Sequence, residues 1–537
     1  MLKRMFVLLA FVFSVSALAG AATGDPVGSC ASLKQLLLPN VSITVAEPIA
    51  AGMFEPPHKP DEKVPALYKS TPAFCRVMAT LTPTPDSDIK AEFWMPASGW
   101  NGKLRGLGNG GFAGYIAYSG LAAAVTQGYA AASTDTGHST EGAEWALGHP
   151  EKIIDYGFRA IHLMTVDAKT VVKSFYGDAA KRSYFASCSN GGRQALMEAQ
   201  RFPDDYDGIL AGAPANAWVP LLTGALKVAE KLDQAGYIPP AKIPAISKAV
   251  LAACDKLDGL DDGILNDPRQ CHFDPATLRC NGKESEECLT GPQVDSLKAI
   301  YSGVHDPTGK LIFPGLLPGA EDGRGGWKDW ITGSEEGKSA VVFFVHGFFG
   351  NMVYGQKDWD FRGANIDTSL RLAYEKTGDA MDAMSPDLKP FLAHGGKLIL
   401  YHGWNDPAIS ALNTVNYYNS LISAVGRQSA EESVRLYMVP GMQHCEGGPG
   451  ATSFGQGSTE PRRDAEHDIL TALVGWVEDG TAPGSIIATK YAEAHPAEPE
   501  MTRPLCPYPQ AAKYRGSGDP NSGTSFGCAS EKPLGLR

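Results

Sequence analysis

Across residues 91–212 apolar strand-like runs alternate with stretches of helical period, and this alternation restricts the possible folds more than any other feature of the chain. Residues 103–107, 129–134 and 183–187 read as strands, with a helix over 158–176. The pattern resumes with strands at 397–401 and 434–439 and a helix over 464–478. Helical crossovers join parallel strands, so the expectation is an α/β fold, a parallel sheet covered on both faces. Between about 215 and 389 the alternation stops. That stretch holds four cysteines, an Asp-rich loop and a Gly- and Trp-containing segment at 323–330. It reads as a domain inserted between two parts of one catalytic unit, 20–214 and 390–537.

At 43% hydrophobic and 20% charged, the 537 residues have enough apolar material for a large core and are not a disordered or fibrous chain. The net charge of −12, with no basic run, disfavours nucleic acid and anionic membrane surfaces as partners. Residues 1–19 have the parts of an export signal: basic Lys3 and Arg4, an apolar run to Ala17, and a small-residue Ala17-Leu18-Ala19 end. Gly20-Ala21 offers no cysteine for lipidation, and no later run of about 18 apolar residues could span a bilayer. A secreted or periplasmic protein without a membrane anchor is expected. Nothing in these patterns sets the oligomeric state.

Export to an oxidising compartment makes the ten cysteines a disulfide framework. Ten cysteines allow about 945 pairings, so proximity has to choose among them. Cys254 with Cys271 and Cys280 with Cys288 close short loops. Cys506 with Cys528 would staple the Gly/Pro/Ser-rich tail, and Cys30 with Cys75 the N-terminal region. Cys188 and Cys445 remain, far apart in sequence.

Segment 183–196 reads as strand, tight turn and helix, with Ser187-Cys188-Ser189-Asn190-Gly191-Gly192 at the turn. Ser189 occupies the nucleophile position of a Gly-x-Ser-x-Gly elbow, Ser187 replacing the first glycine. A serine hydroxyl needs a base, and the base an orienting acid. Asp406 follows the strand at 397–401, and His444 follows the strand at 434–439, which gives the order serine, acid, histidine of doubly wound hydrolases. If Cys188 and Cys445 bond, their Cα atoms lie about 5.5–6 Å apart, and the adjacent Ser189 and His444 come within hydrogen-bonding reach. The competing reading makes both cysteines accidental neighbours of those residues. For the oxyanion, the N–H of Asn190 is one expected donor, and Gly110 or Gly111 of the Gly-rich loop 108–114 the other. That loop lacks the Lys-Ser/Thr of a phosphate-binding P-loop.

Asp255, Asp258, Asp261 and Asp262 crowd one loop, where a hard cation would relieve their repulsion; calcium is the natural candidate and a solvated acidic turn the competing reading. His402 reads as pocket lining or a packed strand-end residue, His162 as structural, and Asp204, Asp205 and Asp207 as a solvated turn. Asp464 and His467 open the late helix and are assigned no chemistry.

Taken together, Cys188-Ser189-x-Gly191-Gly192, Asp406 after His402-Gly403, His444-Cys445, the loop from Asp255 to Ile264 and Arg503-Pro504-Leu505-Cys506-Pro507 resemble the tannase and feruloyl esterase family, which includes mono(2-hydroxyethyl) terephthalate hydrolases. The resemblance implies an α/β-hydrolase core with a large inserted lid, a disulfide beside serine and histidine, and structural calcium in the lid. The calcium ligands it implies are Asp255, Asp258, Leu260, Asp262 and Ile264, the leucine and isoleucine through their carbonyls. The implied activity is a serine carboxylesterase for small esters of aromatic acids, hydroxycinnamates first, with tannase or terephthalate-monoester hydrolysis as alternatives. A calcium-stabilised, non-catalytic binder of aromatic ligands is the alternative from another class, and a thiol-dependent mechanism a third. The aromatic stretch 343–349 would either stack on the acyl ring or form lid core. Ala408 and Ile409 would line the pocket, and Arg362 and Arg371 are the arginines available for a substrate carboxylate.

Overall fold

Strands β1 (Val41–Ile49), β2 (Phe74–Leu81), β3 (Ile89–Pro96), β4 (Lys103–Leu107), β5 (Ala130–Thr134), β6 (Arg182–Cys188) and β7 (Gly208–Gly212) come first in the chain. A short pair follows, β8 (Val304–His305) and β9 (Leu311–Phe313), then β10 (Lys397–Gly403) and β11 (Val434–Val439). This computed structural model describes residues 28–57, 65–457, 462–492 and 495–530; the expected signal peptide, 1–19, lies outside the described residues.

Nine strands form one sheet in the order β1-β2-β3-β5-β4-β6-β7-β10-β11. From β5 through β11 neighbouring strands run parallel, as the alternation predicts. The first part differs: β1, β2, β3 and β5 pair antiparallel, so the sheet is mixed. The β2–β3 connection is a short loop with no room for a crossover helix, which forces the antiparallel hairpin. β1, β2, β3 and β7 are not among the strands that the sequence predicts. The two predicted helices are observed as Ala160–Tyr176, preceded by a π-helical turn at Asp155–Arg159, and Ile469–Asp479.

The inner strands are buried on both faces because apolar side chains occupy both positions of the strand's two-residue period. On β10, Leu398 and Leu400 pack with Phe185, Leu196 and Leu421 on one face. Ile399 and Tyr401 pack with Tyr184, Leu473 and Trp476 on the other. Each such side chain contributes about 1.5–3 kcal/mol relative to exposure. This is the α/β-hydrolase arrangement, and it places the carboxyl ends of β6, β10 and β11 along one edge.

Between β7 and β10 the chain adds no strand to the large sheet. It builds helices including Trp218–Lys231, Ile243–Cys254, Gly291–Ser302 and Ala340–Val345 around an apolar cluster of its own that contains Ile246, Leu297 and Trp327. A second cluster, with Trp218, Phe348 and Phe349, packs this segment onto Phe112 and Tyr156 of the sheet unit. Five disulfides join Cys30–Cys75, Cys254–Cys271, Cys280–Cys288 and Cys506–Cys528, the pairs expected from proximity, and Cys188–Cys445, the pair that remained.

Candidate active site

β6 ends at Cys188 and the next helix, Asn190–Arg201, starts at Asn190, so Ser189 alone makes the turn. Its φ of 67° and ψ of −126° fall in a region that side chains rarely adopt, and the surroundings hold it there. Ser189 N–H donates to the Gly212 carbonyl at 3.0 Å, while its own carbonyl accepts from Arg193 N–H at 3.0 Å. Close packing fixes the glycines: a Cβ at Gly191 would run into Ser187 Oγ, and one at Gly192 into the Gly212 carbonyl oxygen. The Oγ is thereby lifted above the sheet edge.

The Cys188–Cys445 bond spans 257 residues with a Cα separation of 6.0 Å. Beside it, Ser189 Oγ lies 2.9 Å from His444 Nε2, and His444 Nδ1 lies 2.8 Å from Asp406 Oδ2. Asp406 is 2% exposed. Its Oδ1 accepts N–H groups from Ala408 at 2.8 Å and Ile409 at 2.9 Å. Burial by itself would raise this carboxyl, but the His444 charge and the hydrogen bonds from His402 and His444 outweigh it and hold Asp406 well below the usual carboxylate range. The structure therefore brings together the three side chains that the sequence placed after separate strands.

Of the expected oxyanion donors, Asn190 opens its helix, where an N–H has no intrahelical acceptor. Gly110 does not fit the role: its N–H donates to the Tyr115 hydroxyl at 2.7 Å, five residues on, a bond that sequence spacing does not reveal. Gly111 is the remaining glycine, and it lines the same pocket as Ser189 and Asn190. The loop is braced from behind: Tyr156 O–H lies 2.8 Å from the Gly111 carbonyl and His138 Nε2 2.6 Å from the Phe112 carbonyl.

Two spaces meet at His444. The first is small and apolar, lined by Trp218, Leu221, Trp330, Val341, Phe344, Ala408 and Ile409 beside Ser189. Trp330 sets its edge against His444, with centroids 4.7 Å apart, and lies parallel to Phe344 within 4°. The second is a polar cleft of about 850 Å³ whose walls include Asp322, Arg324, Gln443, Glu446 and Lys490. Ala408 and Ile409 lie where expected. The aromatic stretch divides: Phe344 faces the pocket, whereas Phe348 and Phe349 are buried core. Arg362 pairs with Asp233 and Asp360, and Arg371 with Glu375, so neither faces the pocket. Trp218, Leu221 and Trp330 were missed because only tertiary packing brings them to Ser189.

Of the two readings of His402, the packed strand-end residue holds and pocket lining does not. His402 is fully buried, with Nε2 3.1 Å from Asp406 Oδ2. Asp205 is not solvated either: it is buried with its Oδ2 2.7 Å from His162 Nδ1, and that ring stacks on Phe202. Asp207 bonds Ser183 N–H and Arg182, and Asp204 is exposed. Asp464 pairs with His467 at the surface, 2.8 Å apart.

In the acidic loop, Asp255 accepts from Gly263 N–H, and Asp258 from the N–H groups of Leu260 and Asn266. Asp262 accepts from Ile264 N–H and pairs with Arg503 at 3.0 Å. Asp261 turns outward to Lys256. Burial raises Asp255 and Asp258, and the charge of Asp262 raises both further. These carboxylates repel one another, Arg503 neutralises Asp262, and an all-oxygen donor set of this kind would suit a calcium ion. Among the described residues, the loop's carboxylates are not among the groups whose ligand atoms converge within 4.8 Å; opposite ligands of a sphere of about 2.3–2.6 Å radius need not approach that closely.

The family described as tannase and feruloyl esterase matches residues 75–529. An uncharacterized esterase of Xanthomonas campestris pv. campestris is 40% identical, covering 99% of this chain and 96% of the relative. A probable feruloyl esterase B-2 of Aspergillus flavus is 34% identical over 79% of this chain and 81% of its own length. Among solved structures, feruloyl esterase B from Aspergillus oryzae superposes with a TM-score of 0.85 at 27% identity, covering 93% of this chain and 99% of that one.

Proposed function

The chain belongs to the tannase and feruloyl esterase family and is an esterase; on that premise we propose that it is an exported serine carboxylesterase that hydrolyses esters of aromatic acids, hydroxycinnamates foremost. The observation that carries this reading is the Ser189–His444 contact of 2.9 Å at the floor of an apolar, aromatic-walled pocket. Ser189 Oγ attacks the ester carbonyl while His444 Nε2 takes its proton. Asp406 orients the ring and balances its charge. The N–H groups of Asn190 and Gly111 receive the oxyanion. His444 then protonates the departing alcohol and activates the water that releases the acid. The flat faces of Trp330 and Phe344 suit an aromatic acyl ring, and the polar cleft suits a hydroxyl-rich alcohol.

The leader-like N-terminus and five disulfides support export to the periplasm or the medium, and among the described residues no helix is long and apolar enough to cross a membrane. A calcium ion held by Asp255, Asp258 and Asp262, with the Leu260 and Ile264 carbonyls, would brace the lid loop and the Arg503 segment against each other. Such an ion would supply structural cross-linking, and none of the steps above runs through it.

The test is a panel of methyl ferulate, methyl gallate and mono(2-hydroxyethyl) terephthalate. The expected result is the highest kcat/KM on methyl ferulate. A clear preference for either of the others would overturn the hydroxycinnamate assignment. Arg362 and Arg371 are committed elsewhere and offer a terephthalate carboxylate no partner, whereas Arg324 stands in the cleft beside His444, so the panel decides this alternative.

A further inference from the structure

Asp406 Oδ2 is shared. His444 Nδ1 approaches it at 2.8 Å and His402 Nε2 at 3.1 Å, while Oδ1 is taken by two backbone N–H groups. Four donors therefore meet the four lone-pair sites of one carboxylate, which leaves no position for a proton. His402 has no solvent exposure. Its Nε2 faces two acceptors, Asp406 Oδ2 and the Ile409 carbonyl, both at 3.1 Å, so Nε2 must carry the hydrogen. The other nitrogen, Nδ1, is 2.7 Å from Thr414 Oγ1 on the helix Ala411–Val425. When catalysis charges His444, a second imidazolium on the same buried carboxylate would repel it. The contacts thus give His402 an Nε2–H donor to Asp406 and an Nδ1 that accepts the Thr414 hydroxyl.

We propose that His402 is a positioning residue of the triad: its Nε2–H pins Asp406 Oδ2 on the line to His444 and limits how strongly the acid holds the His444 proton. The inference rests on the triad read above. Without the His402 donor, Oδ2 becomes the better acceptor, the charged His444–Asp406 pair keeps its proton to higher pH, and less free base is left in mildly acidic medium. The other titratable groups facing this pair do not replace the donor. The Tyr401 hydroxyl is kept neutral by burial and by the charges of Glu446 and Asp406, and Asp322, Arg324, Glu446 and Lys490 stand in the solvated cleft on the far side of His444.

The experiment is the pH profile of kcat/KM on a chromogenic aromatic ester for wild type, His402→Phe, His402→Gln and Thr414→Val. In His402→Phe the acid limb is expected to move up by about one pH unit, tenfold in proton affinity, with kcat lowered and KM changed less than about twofold. His402→Gln keeps an N–H donor and should return the limb to within a few tenths of a unit of wild type. Thr414→Val, which only loosens the tautomer, should move it up by a few tenths. An unmoved limb in folded His402→Phe, or a shift in His402→Gln as large as in His402→Phe, overturns the proposal. If His402→Phe does not fold, Thr414→Val decides by the same sign: an upward shift supports the role and an unmoved limb overturns it. Fluorophosphonate labelling of the wild type separates the two levels. No adduct on Ser189 removes the triad itself, whereas an adduct with unmoved limbs removes only the role of His402.

Discussion

Asp406 and two aspartates of loop 255–264, Asp255 and Asp258, are at least partly drawn out of water, yet their surroundings push them in opposite directions. Asp406 meets two backbone N–H groups and two imidazoles, and lies below the usual carboxylate range despite full burial. Asp255 and Asp258 also accept backbone N–H groups, but burial and the charge of neighbouring carboxylates raise them from their ordinary value. Burial therefore does not decide the outcome; the balance of donors against like charges does. The first carboxylate is complete as it stands, whereas the second set keeps a mutual repulsion that the proposed calcium ion would relieve.

The largest effect that could break this contrast is Asp406→Asn, which leaves the shape but removes the charge and favours the wrong His444 tautomer. A loss of about 10³–10⁴ in kcat is expected in steady-state assays. Next comes the tether. Cys188→Ala with Cys445→Ala should cost about 2–5 kcal/mol in denaturant unfolding and lower kcat, since Ser189 and His444 lose their shared anchor. Calcium removal should lower Tm by a few degrees while the initial rate changes little, and Asp258→Asn should abolish that shift. The smallest effect sharpens the electrostatics. Because the folded state holds Asp406 below its unfolded value, its contribution to stability is complete above about pH 4 and is lost as pH falls. The Tm deficit of Asp406→Asn should accordingly shrink on acidification below that pH.

The parts of this site that were legible in the sequence are those written locally. The turn at Ser189 shows itself through the adjoining strand, helix and glycines, and Asp406 and His444 each follow a strongly apolar strand. The cysteines then named the long-range contact. Other parts depend on neighbours remote in sequence. β1 alternates only over Val41–Val45 before its pattern breaks at Ala46, and β7 is five residues bounded by glycines, so neither carries a period long enough to read. The walls contributed by Trp218, Leu221 and Trp330 exist only once the inserted segment docks. That Tyr115 engages Gly110 N–H, and that His402 shares the acid's oxygen, follows from side-chain directions that no spacing rule encodes.

The most direct test of the account is intact-mass and peptide analysis after brief fluorophosphonate treatment of wild type and Asp406→Asn. The account predicts a single adduct on the Ser189 peptide of the wild type, formed at least about a thousandfold more slowly in the variant. An unmodified Ser189, or equal labelling rates in the two proteins, would contradict it.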